Sequence, residues 1–138
     1  MAKLVRFGVS LEKALLDEFD ALTAARGFAS RSEAFRDLIR ATLIEKKWKE
    51  GEEVAGAVTL VYDHHRKDLM GRITDIQHDY HHLIISTQHI HLDHHNCLEI
   101  VAARGKAEVV QKLADALRSI KGVRHATLSM SSTGREIE

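Results

Sequence analysis

The chain opens on an alternation of apolar and other residues. Across residues 3–9, Val5, Phe7 and Val9 point to one side and the residues between them to the other. This period of two predicts a short strand with one buried face. No other segment of the first fifty residues reads as its strand partner. We therefore expect the strand to pair with the same strand of a second copy.

Two helical patterns follow this strand. Ser10 is the predicted N-cap of the first helix, and Gly27 is its predicted stop. Ser30 and Glu33 match a capping box that opens the second helix. The two apolar stripes comprise Leu15, Leu16, Phe19 and Leu22, then Ala34, Phe35, Leu38, Ile39 and Leu43. One strand and two helices of this size cannot enclose a core, which again predicts an intertwined dimer.

Beyond a polar linker at residues 49–53, strand and helix patterns alternate in the order βαββαβ. This is the order of ferredoxin-like domains. The predicted strands cover residues 54–62, 83–92, 97–103 and 123–131, and the predicted helices cover residues 66–82 and 106–120. The fold class is therefore α+β. It comprises a dimeric ribbon-helix-helix domain at 1–48, a second domain at 54–132 and a polar, mobile tail at 133–138.

Composition narrows the possible classes of protein. The 138 residues have a formal net charge of zero, and residues 1–50 carry ten Lys and Arg against eight Asp and Glu. Any binding to nucleic acid must then depend on where charges lie rather than on bulk charge. The one cysteine, Cys97, excludes an intrachain disulfide and favours a reducing compartment. No apolar segment reaches signal-peptide or membrane-span length, so we expect a cytoplasmic protein without membrane partners.

Histidine is the outlier, because nine of the ten histidines lie within residues 64–95. His89 and His91 are two apart on a predicted strand, so they share a face. Cys97 follows across the tight turn at residues 93–96. Two imidazoles and a thiolate can converge there on a metal ion. A closed site needs a fourth ligand from elsewhere.

The helix before this strand offers a candidate for that ligand. His78 lies opposite the apolar stripe of its helix, so it faces solvent or a partner chain. We interpret His64, His65, His94 and His95 as solvated and assign no role to His81 and His82. Ligand type alone leaves copper, zinc, nickel and cobalt open. A nucleophilic Cys97 oriented by Glu99 is the competing chemistry, but nothing else in the sequence supports an enzyme.

Four segments closely resemble the nickel-responsive regulator family (NikR), and the resemblance spans essentially the whole chain. They are RFGVS at 6–10, GFASRSEAFRDLIR at 27–40, DIQH at 75–78 and HIHLDHHNCLEI at 89–100. The resemblance implies a homotetramer, a dimer of dimers, whose ACT-like C-terminal domains form the central core. It also implies one square-planar Ni(II) site per subunit. The implied ligands are His89, His91 and Cys97 of one subunit and His78 of another, with Gln77 and Glu99 beside them.

The same resemblance implies that a two-chain ribbon enters the major groove of operator DNA. The matching positions are Arg6, Gly8 and Ser10, and Gly8 departs from a family that often has a hydroxyl residue there. Arg31, Ser32 and Arg36 lie at the start of the second helix, whose free backbone N–H groups suit a phosphate; the alternative for Arg36 is a solvated helix face. Glu33 and Asp37 match a weak second metal site, although their spacing alone indicates an ordinary charged face. The implied function is a nickel-dependent transcriptional regulator that usually represses nickel-uptake genes.

Two other classes stay open at this stage. A ribbon-helix-helix antitoxin would end in a disordered toxin-binding tail, which the second patterned domain disfavours. An ACT-like regulator could instead sense a small molecule or another transition metal. Bound-metal analysis of the purified protein separates these classes.

Overall fold

The structure, a computed structural model, describes residues 3–138. The predicted start of the first domain at residue 1 lies outside this range. The helices are α1 (Lys13–Ala25), α2 (Arg31–Lys49), α3 (Lys67–Asp79) and α4 (Ala107–Arg118). The strands are β1 (Glu53–Asp63), β2 (Ile84–His91), β3 (Asn96–Lys106) and β4 (Val123–Met130). The chain divides into two compact units between Ile39 and Arg40.

The first unit contains α1 and the beginning of α2. The predicted strand at residues 3–9 is not formed, because no other part of the described chain pairs with it. Its apolar face is open: Val5 is 75% exposed, Phe7 69% and Val9 56%. Within α1 only Thr23 is buried. The first unit thus leaves much of its apolar surface exposed, although Ala34 is buried.

The helix ends test the predicted caps. Ser30 Oγ accepts the backbone N–H of Glu33 at 3.2 Å, which confirms the Ser30 cap of α2. Gly27 follows the end of α1 with a φ of 75°, as predicted for a helix stop. The prediction that Ser10 caps α1 was wrong. The backbone remains non-helical as far as Glu12, whose ψ is 140°, so the helix begins three residues after Ser10.

The second unit confirms the βαββαβ order. Its antiparallel sheet has the strand order β2-β3-β1-β4, the ferredoxin-like arrangement. One face of the sheet is buried with α3 and α4 in a core that includes Leu60, Tyr62, Leu69, Val101 and Leu113. Helix α3 ends at Asp79 rather than His82, and β3 extends to Lys106 rather than Ala103.

The connection between α2 and β1 is shorter than the predicted linker at residues 49–53. Helix α2 continues to Lys49 and β1 begins at Glu53, with Gly51 at a φ of 70° between them. The helix continues because Trp48 is buried with the sheet core, and its indole Nε1 donates to Ser131 O at 2.9 Å. The division after Ile39 therefore lies inside α2. Across residues 3–138, no helix combines the length and apolar character that a bilayer span requires.

Candidate metal centre

The β2–β3 hairpin brings the predicted ligands onto one face of the sheet. His89 lies opposite Glu99 and His91 lies opposite Cys97 in the strand register. Directly opposite residues of antiparallel strands project to the same side. His91 Nδ1 is 3.3 Å from Cys97 Sγ, and the His89 and His91 rings are 5.1 Å apart. These three residues are thus gathered at one end of the hairpin.

Asp93 fixes the turn of this hairpin. Its carboxylate accepts the backbone N–H groups of His95 at 2.8 Å and Asn96 at 2.7 Å. These hydrogen bonds favour the charged form and lower the pKa of Asp93 to about 2. The turn sets the register that places His91 opposite Cys97.

Glu99 organises the buried side of the site. Its carboxylate accepts hydrogen bonds from Tyr62 Oη at 3.1 Å and from Gln77 Nε2, and His89 Nδ1 lies 3.3 Å from it. Thr87 Oγ1 in turn donates to Gln77 Oε1 at 2.9 Å. When His89 Nδ1 carries the proton and donates to Glu99, its Nε2 is a free metal ligand. A carboxylate behind a ligating histidine fixes the tautomer and ring orientation in this way.

His78 lies on the exposed side of α3, as its helical position predicted. Its ring stacks on His81 with centroids 5.8 Å apart, and His81 Nδ1 lies 2.9 Å from His78 O. Thr74, Gln77, His78, His81 and Ile84 line an open groove. His78 is accessible to a second chain, and it does not belong to the ligand group described next.

His64 is the residue that the sequence interpretation missed. Ligand atoms of His64, His91 and Cys97 all lie within 4.8 Å of one another. His64 Nδ1 is buried and has no hydrogen-bond partner in residues 3–138. Burial lowers the pKa of His64 and so favours the neutral, ligating form. His64 is therefore not the freely solvated side chain that we expected.

A second cluster adjoins His64 at the same end of the sheet. Asp63, His64 and His65 also have ligand atoms within 4.8 Å of one another. His65 Nε2 lies 2.7 Å from His94 O, and the His65 and His95 rings are 5.5 Å apart. The turn histidines that were interpreted as solvated thus contact each other.

The donor set fits a transition-metal ion. Protein ligands lie about 2.0–2.3 Å from such a metal, so two donors of one ion are roughly 3–4 Å apart. The His91–Cys97 separation satisfies this, and the unpaired His64 Nδ1 is a further donor beside them. Imidazole and thiolate suit nickel, copper, cobalt and zinc alike. The residues therefore fit nickel without selecting it.

Cys97 does not have the properties of a catalytic nucleophile. Burial first, and then the charge of Glu99, raise the pKa of its thiol. A reactive cysteine requires the opposite shift, because the thiolate is the nucleophile. A metal ion that binds Cys97 must instead displace its proton.

The candidate DNA contacts lie in the first unit. Arg6, Gly8 and Ser10 are exposed on the segment that precedes α1. Open space surrounds the position of a Cβ at Gly8, so a side chain would fit there. Ser32 and Arg36 are exposed near the start of α2.

Arg31 also lies at the start of α2, but unlike Ser32 and Arg36 it is paired with an acidic side chain of the same chain. Its guanidinium makes a bidentate pair with the Asp20 carboxylate, with both N–O distances at 2.8 Å. Its charge is thus already engaged within the chain. Glu33 and Asp37 are exposed four residues apart on α2.

Two family models match the two parts of the chain. Residues 5–46 match the family described as "Ribbon-helix-helix protein, copG family". Residues 55–131 match the family described as "NikR C terminal nickel binding domain". With the fold and the His–Cys cluster, these matches define a class: a two-domain transcriptional regulator rather than an enzyme.

Relatives over the full length identify the family. A protein of Syntrophus aciditrophicus named "Putative nickel-responsive regulator" is 57% identical over 135 residues, 98% of each chain. A protein of the same name from Chlorobium limicola is 55% identical over 134 residues, covering 97% of this chain and 100% of its own. The chain belongs to the nickel-responsive regulator family.

One solved structure supports the fold alone. The uncharacterized protein TM1266 of Thermotoga maritima aligns with 56% of this chain and 95% of its own. The TM-score is 0.50 and the identity 14%.

Proposed function

We propose that this chain is a cytoplasmic transcriptional regulator that binds operator DNA when loaded with nickel and represses nickel-uptake genes. The observation that carries the proposal is the hairpin site, in which His91 contacts Cys97, and His89 projects from the same face with Glu99 beside its Nδ1. A small-molecule sensor of the same fold would have no need for a buried thiol beside two aligned imidazoles. The relatives named as nickel-responsive regulators favour nickel among the metals that these donors suit.

In the proposed centre, four side chains would hold one Ni(II) per subunit. His89, His91 and Cys97 come from one subunit, and His78 comes from another. The exposure of His78 supports this arrangement, since a bridging ligand must reach beyond its own chain. When bound, such an ion would be held by the Cys97 thiolate and by residues of two chains, and so would link them.

The proposed assembly is a homotetramer, a dimer of dimers. Two of its surfaces are visible in one chain. The segment before α1 exposes an apolar face, and the outer face of the sheet carries the half-buried residues Val61, Leu98 and Ile100. Burial of each surface against a second copy would remove apolar area from water.

His64 is a second candidate for the fourth ligand. It belongs to the same chain as Cys97, its Nδ1 is unpaired, and its ligand atom lies within 4.8 Å of those of His91 and Cys97. A site closed by His64 would bind nickel without bridging subunits. The two arrangements predict different behaviour in mixed oligomers.

Mixing two inactive variants tests the shared site. Cys97→Ala retains a good His78, and His78→Ala retains a good three-ligand cluster, so co-assembled chains should rebuild some complete sites that neither parent forms. The readout is nickel–thiolate absorption, and His64→Ala is the matched control that should keep the signal. If the two variants fold and exchange subunits but the mixture recovers no absorption, the shared site is wrong. Loss of the signal in His64→Ala with retention in His78→Ala would assign the fourth ligand to His64.

For DNA, we propose that residues 1–48 form the binding domain and residues 54–132 the metal-sensing domain. Paired ribbons present Arg6, Gly8 and Ser10 to base edges, and Ser32 and Arg36 contact phosphate. Arg31 can join them only by giving up the Asp20 pair. Glu33 and Asp37 are a candidate weak second metal site.

Arg6→Ala should blur preference at one operator position, whereas Arg36→Ala should weaken binding to all sequences and flatten its salt dependence. Unchanged operator preference in Arg6→Ala would exclude the ribbon as the reader.

A further inference from the structure

The last residues of the chain run alongside α2 and make hydrogen bonds with it. After β4, the backbone N–H of Ser131 donates to Ala55 O at 2.9 Å and prolongs the pairing with β1. Ser131 O then accepts the indole N–H of Trp48. A Cβ at Gly56 would lie 3.2 Å from the Trp48 ring, so the indole packs closely on β1. The end of α2 and the start of the tail are thus fixed at one position.

Two long side chains of α2 continue this contact. Lys47 Nζ donates to Arg135 O at 3.1 Å and to Glu136 Oε2 at 3.2 Å. Arg40 Nε donates to Ile137 O at 2.7 Å. The donors move back along α2 from 48 to 40 while the acceptors move forward from 131 to 137. The tail therefore runs antiparallel to the helix over about two turns.

The burial of Lys47 distinguishes this contact from an incidental surface pair. Its side chain is only 15% exposed, and its Nζ also lies 3.8 Å from Glu52 Oε2. A charged side chain that is largely covered requires hydrogen-bond acceptors, and the tail supplies two of them. Most of the acceptors are backbone carbonyls, so the contact depends on the path of the tail more than on its side chains.

We infer that residues 131–137 form a strap that fixes the C-terminal half of α2, residues 40–49, within the second unit. The effect of the strap on DNA binding rests on the proposed function. Helix α2 is continuous, and the proposed phosphate contacts Ser32 and Arg36 lie near its start. The strap fixes the far end of that helix. Without it, the last turns of α2 fray, and the connection to the DNA-binding unit becomes looser. The conformational entropy that is lost when this connection becomes ordered on DNA then weakens operator binding, while nickel binding is unaffected.

Hydrogen exchange in the full protein tests the strap. Deletion of residues 133–138 leaves the Trp48–Ser131 bond in place and removes the remaining acceptors. We expect amides of residues 40–49 to exchange about tenfold faster, with β1 and β3 unchanged. Lys47→Met should reproduce part of this effect. Lys46→Met is the matched control, because Lys46 lies near Glu50 at 3.8 Å and makes no described contact with the tail.

The outcomes separate the strap from the proposed function, since exchange is measured with neither nickel nor DNA present. Unchanged exchange at 40–49 after deletion, or equal effects of Lys46→Met and Lys47→Met, would overturn the inference. The regulatory consequence has its own readout. With nickel bound in unchanged amount, the deletion should weaken binding to an enriched operator duplex by about threefold or more. Equal affinity would show that the strap does not influence DNA binding.

Discussion

Glu99→Gln tests how the protein orients its metal ligand. The carboxylate has three hydrogen-bonding neighbours, Tyr62 Oη, Gln77 Nε2 and His89 Nδ1. Glutamine has nearly the same size but only one acceptor oxygen, so at least one of the three donors would face an N–H group. A hydrogen bond to a charged group contributes about 1.5–3 kcal/mol. Loss of one such bond should lower nickel affinity roughly 10- to 100-fold, the range found for partners of ligating histidines.

The assay is competition for nickel against a chelator of known affinity, followed by nickel–thiolate absorption. Tyr62→Phe removes one donor to Glu99 and keeps the ring, so it should cost less than Glu99→Gln. Glu108→Gln is the control, because Glu108 is exposed in the first turn of α4. If Glu99→Gln binds nickel within about twofold of the parent protein while folding normally, the carboxylate does not orient His89.

Three further predictions follow from the contacts. Trp48→Phe should lower the free energy of unfolding by about 1 kcal/mol through loss of the bond to Ser131 O, and Trp48→Ala by about 3–5 kcal/mol; equal effects in denaturant unfolding would contradict this. Nickel affinity should fall up to about tenfold per pH unit between pH 8 and 6, because burial raises the pKa of Cys97 and each bound ion displaces its proton; a flat profile would contradict this. Because the pKa of Asp93 is low in the folded chain, its carboxylate stabilises the fold at pH values above the ordinary carboxyl pKa. This stabilisation is lost as the pH falls towards 2. Asp93→Asn should therefore make the free energy of unfolding less dependent on pH in that window.

The sequence predicted the features that depend on local periodicity. Alternating and helical patterns predicted the six elements of the second unit in the right order, with ends shifted by up to three residues. The meeting of His91 with Cys97 was also predictable, since a hairpin with a short turn determines which residues face each other. The Ser30 cap depends on a four-residue signal and was confirmed.

The features that were missed depend on distant parts of the chain. His64 reaches the cluster because β1 pairs with β3, with Tyr62 opposite Cys97, and local pattern does not reveal strand order. The sequence of the tail predicted a polar, mobile segment. Its contacts with α2 were missed because backbone carbonyls accept these hydrogen bonds, and the side-chain pattern does not reveal them. The strand predicted at residues 3–9 is not formed, because no segment of the described residues pairs with it. Ser10 was wrongly assigned as a cap because a good capping residue does not itself fix where a helix begins.

Nickel control of DNA binding is tested most directly by one affinity measurement made with and without the metal. A duplex is first enriched from a randomised library with the nickel-loaded protein, and its affinity is then measured in nickel and in chelator. We expect the parent protein to bind this duplex about 5–150-fold more tightly with nickel, the usual range of coupling between two sites. His89→Ala should bind equally weakly in both conditions. Equal affinity of the parent protein with and without nickel, or a full nickel response in His89→Ala, would contradict the hairpin site as the sensor.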